Sequence, residues 1–245
     1  MRIVSGLLLA IGLSAPAMAA DIRMPVKAAP MMVPMVQSWA GPYIGANIGY
    51  GWARTDVTAT FTGGVLGPAT GTGSANLNDI VGGAQIGYNW QAGALVFGVE
   101  ADINASGQSA TAATACGAGC TINETARINW FGTARARVGF VAANTWLLYV
   151  TGGAAWTNAS DTTTVTTGLG TATLIALNDT RAGWTVGGGV EAAFTRNWSW
   201  KLEYLHISTD GWGGTAAIAA PFGGTVTETA TIRNNIVRAG LNYRF

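Results

Sequence analysis

The stretch Ala126-Arg127-Ile128-Asn129-Trp130-Phe131-Gly132-Thr133-Ala134-Arg135-Ala136-Arg137-Val138-Gly139-Phe140-Val141 decides how this chain folds. Every second residue, from Ala126 and Ile128 through Trp130, Gly132, Ala134, Ala136 and Val138 to Phe140, forms an apolar row. The alternate row carries Arg127, Asn129, Phe131, Thr133, Arg135, Arg137 and Gly139. A helix would scatter the three arginines around its circumference, whereas a strand gathers them on one side. The period of two therefore predicts a strand with one apolar and one polar face.

The same alternation recurs in seven more segments, giving predicted strand starts near Gly41, Asp79, Ala94, Ala126, Thr145, Thr180, Trp198 and Ile232. In the third, Leu95, Phe97, Val99, Ala101 and Ile103 oppose Val96, Gly98, Glu100 and Asp102. In the seventh, Trp198, Trp200, Leu202, Tyr204 and His206 oppose Ser199, Lys201, Glu203 and Leu205. The last sets Val237, Ala239, Leu241, Tyr243 and Phe245 against Arg238, Gly240, Asn242 and Arg244. A soluble β-sandwich also alternates, so the connections must discriminate. Short links near 91–93, 142–144 and 195–197 alternate with long ones at about 54–78, 104–125, 157–179 and 208–231. Strict short–long alternation puts every tight turn at one end, the layout of an eight-stranded antiparallel up-and-down barrel in an outer membrane. Tyr50, Trp52, Tyr88, Trp90, Phe140, Trp146, Trp156, Trp184, Phe194, Trp198, Trp200, Tyr204 and Tyr243 gather toward strand ends on the apolar parity, as interfacial girdles do.

Composition agrees. Of 245 residues only 10% are charged, 49% are hydrophobic and 35 are Gly, against about 25% charge and about 7% Gly in ordinary soluble domains. Mean hydropathy is +0.29, yet no segment after the N-terminal stretch approaches the ~20 apolar residues of a spanning helix. Thirteen basic against 12 acidic residues, with no basic run, argue against nucleic acid as a partner. Residues 1–20 read as a cleaved secretory signal: Arg2, an apolar run, then Pro16 and Ala17-Met18-Ala19. Residues 21–40, with Pro25, Pro30 and Pro34, read as an extended periplasmic tether, and 41–245 as the barrel. Met24, Met31, Met32 and Met35 lack the His or Cys neighbours that would make a soft-metal site, so no metal or other cofactor is expected.

Residues on the polar parity should line the lumen. Glu100, Asp102, Arg135, Arg137, Glu191, Lys201, Glu203 and Arg238 are all placed there, and isolated ions at such depth are too costly to remain unpaired. They read as a salt-bridge network filling the barrel, with a narrow pore tuned by charged rings as the alternative. Gly45, Gly49, Gly83, Gly87, Gly187 and Gly189 share this parity and either leave space or relieve crowding where the barrel bends. His206, the single histidine, lies near Ser208 and Asp210 but has the lipid-facing parity, and three residues of one strand do not converge into a triad. No catalytic residues are expected. Cys116 and Cys120, close in an exported chain, read as a disulfide at a loop tip.

The segment Trp39-Ala40-Gly41-Pro42-Tyr43-Ile44-Gly45-Ala46-Asn47-Ile48-Gly49-Tyr50-Gly51 resembles the first strand of small alphaproteobacterial outer-membrane proteins. That group is labelled outer-membrane immunogenic or porin-family proteins, with an OmpA-type barrel. Gly183–Glu191 resembles its sixth strand, Asn197–Tyr204 its seventh and Val237–Phe245 its C-terminus. The resemblance implies that Leu241, Tyr243 and Phe245 form the signal read by the barrel-assembly machinery. It also implies residence in the outer membrane of a Gram-negative bacterium, among lipid and lipopolysaccharide. The long loops are then expected to carry envelope and surface interactions, including any host or surface ligand, with conduction of small solutes as the alternative.

Overall fold

The computed structural model describes residues 38–64, 68–117, 119–168, 170–217 and 223–245. Nine β-segments follow in order: β1 Gly41–Thr62, β2 Ala69–Ala92, β3 Leu95–Ser106, β4 Ser109–Gly117, β5 Cys120–Ala142, β6 Trp146–Thr167, β7 Gly170–Ala193, β8 Trp198–Ala217 and β9 Thr225–Arg244. Gly107 and Gln108 break one stave into β3 and β4, so the antiparallel ring β1–β2–β3–β5–β6–β7–β8–β9 has eight staves. It closes between first and last strands, from Tyr43↔Arg244 to Thr62↔Thr225. The tight turns after β2, β5 and β7 lie at the same end as Gly41 and Phe245. Gly93, Ala143 and Asn144 take positive φ there (62°, 48° and 62°), the left-handed geometry such turns need. The predicted cleaved signal and nearly all of the tether fall outside the described residues, as do the positions 65–67 and 218–222 within long connections.

The barrel is inside out relative to a soluble protein. Ile48 and Val150 are 64% and 66% exposed on the outer surface, while Lys201 and Arg238 are fully buried. Two aromatic belts border the apolar band. Trp146–Trp200, Trp198–Tyr243 and Tyr243–Phe245 contacts mark the tight-turn end, with ring centroids 5.5, 5.2 and 5.1 Å apart. Trp52–Tyr204 (6.5 Å) and Trp184–His206 (5.4 Å) mark the other.

The staves continue far beyond that second belt. The four connections expected to be long loops are largely strand: β6 runs through Asp161-Thr162-Thr163-Thr164-Val165 to Thr167 and β9 begins at Thr225. Their Thr and Val content suits a pleated surface, which outweighs the Gly and Asn that suggested loop. A bulge at Asn129 shifts the β5–β6 register between Ile128 and Trp130. Above it the parity of β5 reverses: Ile128 is buried inside and Arg127 is exposed. The single polar row expected for this strand therefore holds only from Phe131 downward.

Beyond the membrane the ring divides. β2 and β4 share one pairing, Asn78↔Ser109, and β7–β8 pairing ends at Gly183↔Thr209, where a bulge before Trp212 bends β8 away. Pairing within β8–β9–β1–β2 and within β4–β5–β6–β7 persists. The result is two facing four-stranded sheets standing on one membrane barrel.

Candidate functional site

From the tight-turn mouth upward, the lumen is filled in layers. At the mouth Trp39 is fully buried against Val96, Leu147 and Tyr149. Its backbone N–H donates to Gln91 Oε1 (2.6 Å), the Arg244 guanidinium lies 4.5 Å from its ring centroid, and Arg244 donates to the Ser38 carbonyl. Alternation gives no signal for this cap, because Trp39 precedes the first strand.

Above it the eight charged residues named from parity meet in one cluster. Arg135 donates to Glu203 Oε1 (3.0 Å), Asp102 Oδ2 (2.9 Å) and Glu100. Lys201 Nζ lies 2.9 and 3.0 Å from the two Glu100 oxygens. Arg238 spans Asp102 Oδ2 (2.9 Å) and Glu203 Oε2 (2.7 Å). Arg137 donates to Glu191 Oε2 (3.1 Å) and Asn89 Oδ1 (2.9 Å), held between the rings of Tyr43 and Tyr149 at 5.0 and 5.1 Å. Four carboxylates face four cations, so the cluster is electrically neutral, as burial at this depth requires. Neutral groups complete it. Tyr43 and Tyr149 donate to Glu100 Oε2 (2.7 Å) and Glu203 Oε1 (3.0 Å), and Ser199 and Asn242 donate to Glu191 Oε1 (2.5 and 2.9 Å). These partners were legible only as lumen parity, since nothing in the sequence pairs Tyr43 with a carboxylate 57 residues away.

The lumen glycines stand against close neighbours. A methyl group at Gly87 would collide with the Tyr43 ring, one at Gly45 with the Asn242 side chain, and one at Gly49 with Arg238. The next layer is apolar: Val81, Phe131, Ala155, Leu205, Ile207 and Ile236. Over it, Gln108 from the β3–β4 break turns inward and exchanges side-chain hydrogen bonds with Asn234 (3.1 and 2.8 Å). A second apolar layer, including Ala53, Leu77, Ile128, Ala159 and Ile232, closes the membrane barrel. This layer is the floor of a cup of about 500 Å³ between the two sheets.

His206 lies on the outer surface, its ring tilted against Trp184, with Nδ1 2.8 Å from Asn235 Oδ1, which also accepts from Tyr204 (2.8 Å). Among the described residues no cluster of His, Cys, Asp and Glu is arranged to hold a metal. Cys116 and Cys120 flank the tip of the β4–β5 hairpin, where Gly117 pairs with Cys120; their side chains lie outside the described part. Leu241 is exposed on the outer face of β9 and Phe245 just beyond its end, and Tyr243 packs between Trp198 and Phe245.

A sequence profile described as outer membrane protein beta-barrel domain matches residues 5–245. The 31 kDa outer-membrane immunogenic protein of Brucella melitensis is 34% identical over 94% of this chain and 93% of its own length. The 25 kDa outer-membrane immunogenic protein of Brucella abortus is 30% identical over 95% and 92%. Among solved structures, the outer membrane protein OprG of Pseudomonas aeruginosa aligns over 84% of this chain and 97% of its own, at 13% identity and a TM-score of 0.45. A layered, charge-neutral lumen inside an apolar, aromatic-belted surface and relatives of nearly full length agree on one setting, the Gram-negative outer membrane, and the chain belongs to the outer membrane protein beta-barrel family.

Proposed function

We propose that this protein is a non-enzymatic, non-conducting barrel that contributes to envelope integrity and carries surface interactions on its two extracellular sheets. The observation that carries the reading is the lumen, closed in succession by a neutral ion cluster, an apolar layer, the Gln108–Asn234 pair and a second apolar layer. An ion crossing it would have to displace buried partners and enter apolar surroundings, at a cost of several kcal/mol. The outward position of His206 supports the absence of catalysis, since it faces no cleft. Outer-membrane lipid and lipopolysaccharide are its proposed surroundings, and the immunogenic naming of its relatives fits exposure at the cell surface.

Three further features belong to this reading: export through a cleaved segment 1–20, recognition of Leu241, Tyr243 and Phe245 by the assembly machinery, and a Cys116–Cys120 disulfide. The experiment is conductance of refolded mature protein in planar bilayers, after heat-dependent gel mobility has verified folding. A silent membrane is expected. Reproducible current steps whose size or ion selectivity changes in Arg135→Ala or Glu203→Ala would overturn the reading and make the protein a small porin.

A further inference from the structure

The two extracellular sheets enclose a cup that the envelope role leaves unused. Its floor is apolar, with Leu77, Ile128 and Ile232 buried at the base. Its walls carry three carboxylates on the inward parity: Glu228 on β9 of one sheet, Glu124 on β5 and Asp161 on β6 of the other. Glu124 pairs in register with Thr163, which makes Asp161 its diagonal neighbour on the same face. None of the three forms an ion pair among the described residues. Arg127, which borders the cup, is exposed on the opposite face of β5 and pairs with none of them. This inverts the arrangement deeper in the lumen, where every carboxylate is matched by a cation.

We propose that the cup is a binding site for a small organic cation, its apolar body against Val57, Ala75, Ala110 and Ala126 above the Leu77–Ile128–Ile232 floor and its ammonium group among Glu124, Asp161 and Glu228. The volume of about 500 Å³ lies within the range of small-molecule pockets, roughly 300–1,000 Å³. An apolar floor beneath like-charged walls selects against both a hydrated inorganic ion, which gains nothing from the floor, and an anion, which the walls repel. A cation seated here relieves the repulsion between Glu228 on one sheet and Glu124 and Asp161 on the other. It therefore joins the sheets where backbone pairing between them has ended.

The test uses the full mature chain refolded in detergent micelles, with methyl resonances of Ile128 and Ile232 followed by NMR. The probes are 1-naphthylmethylammonium, 1-naphthoate and sodium ion. The ammonium probe is expected to give saturable shifts at both methyls, with naphthoate and sodium giving none. Affinity should fall about tenfold or more in Asp161→Asn/Glu228→Gln, as loss of charge-assisted contacts implies. If that variant does not fold, the wild type serves: its affinity for the ammonium probe should weaken as pH falls and the carboxylates take up protons. Equal binding of both naphthyl probes, displacement by dilute sodium, the absence of saturable shifts, undiminished affinity in the folded variant or affinity independent of pH would each overturn the proposal.

Discussion

Arg238 on the last strand and Asp102 on the third face each other across the lumen, Nη2 to Oδ2 at 2.9 Å, with neither side chain in contact with solvent. The pair belongs to a set of equal and opposite charges, so its worth is collective. Removing one cation leaves a carboxylate buried without compensation, which costs about 3–5 kcal/mol. Arg238→Met should therefore lower stability by about that amount in urea titrations of the refolded barrel. Adding Glu203→Gln, which restores neutrality, should recover most of the loss. A double variant as unstable as the sum of its parts would show that charge balance is not what the cluster supplies.

Trp39 tests whether the chain entering the barrel is part of its fold. Truncating a fully buried Trp costs about 3–5 kcal/mol. Trp39→Ala also removes the ring over which Arg244 stacks. The expected result is a lower unfolding midpoint with the bilayer still silent, because the ion cluster and the layers above it remain. Wild-type stability in a chain lacking the Trp39 side chain would mean that the cap contributes nothing.

How much of this was legible in the sequence follows from what period two can carry. The staves, both aromatic belts and the lumen placement of Glu100, Arg135 and Arg238 all follow from alternation, which needs no knowledge of neighbours. Alternation fails where the chain inserts one extra residue. The bulge at Asn129 moves Arg127 to the outside and Ile128 to the floor of the cup, and no residue there announces it. It also gave no hint that β7 and β8 part company at Gly183 and Thr209, since separation depends on partners rather than on either strand alone. Glu124, Asp161 and Glu228 stayed hidden because their segments, rich in Thr, Ala, Gly and Asn, read as loops.

The glycines that alternation left ambiguous now give a directional prediction. Gly87 lies under Tyr43, whose hydroxyl is fixed 2.7 Å from Glu100 Oε2. A methyl there must push a rigid ring off a buried carboxylate. Gly87→Ala should cost about 1–3 kcal/mol. Gly71, whose added Cβ would meet nothing within 4 Å, should accept Ala with little change. Parallel unfolding curves compare the two, and equal effects would sink the distinction between a filled lumen and an open rim.

The last prediction concerns Asp161, beyond the membrane on the wall of the cup. Burial, then Glu228 and Glu124, raise its pKa from 3.8 to about 6. Glu228 is raised in the same direction by burial and by Glu124. Because the folded state holds the Asp161 proton more tightly than the unfolded chain, its ionisation opposes folding. The penalty is fully present above about pH 6, shrinks as pH falls through that value, and is gone below the unfolded pKa of 3.8. Asp161→Asn should therefore slow amide exchange in the upper parts of β5 and β6 at pH 7.5, and this protection should vanish by about pH 4. A variant that is protected equally at both pH values would show that packing, and not charge, sets the stability of these strands.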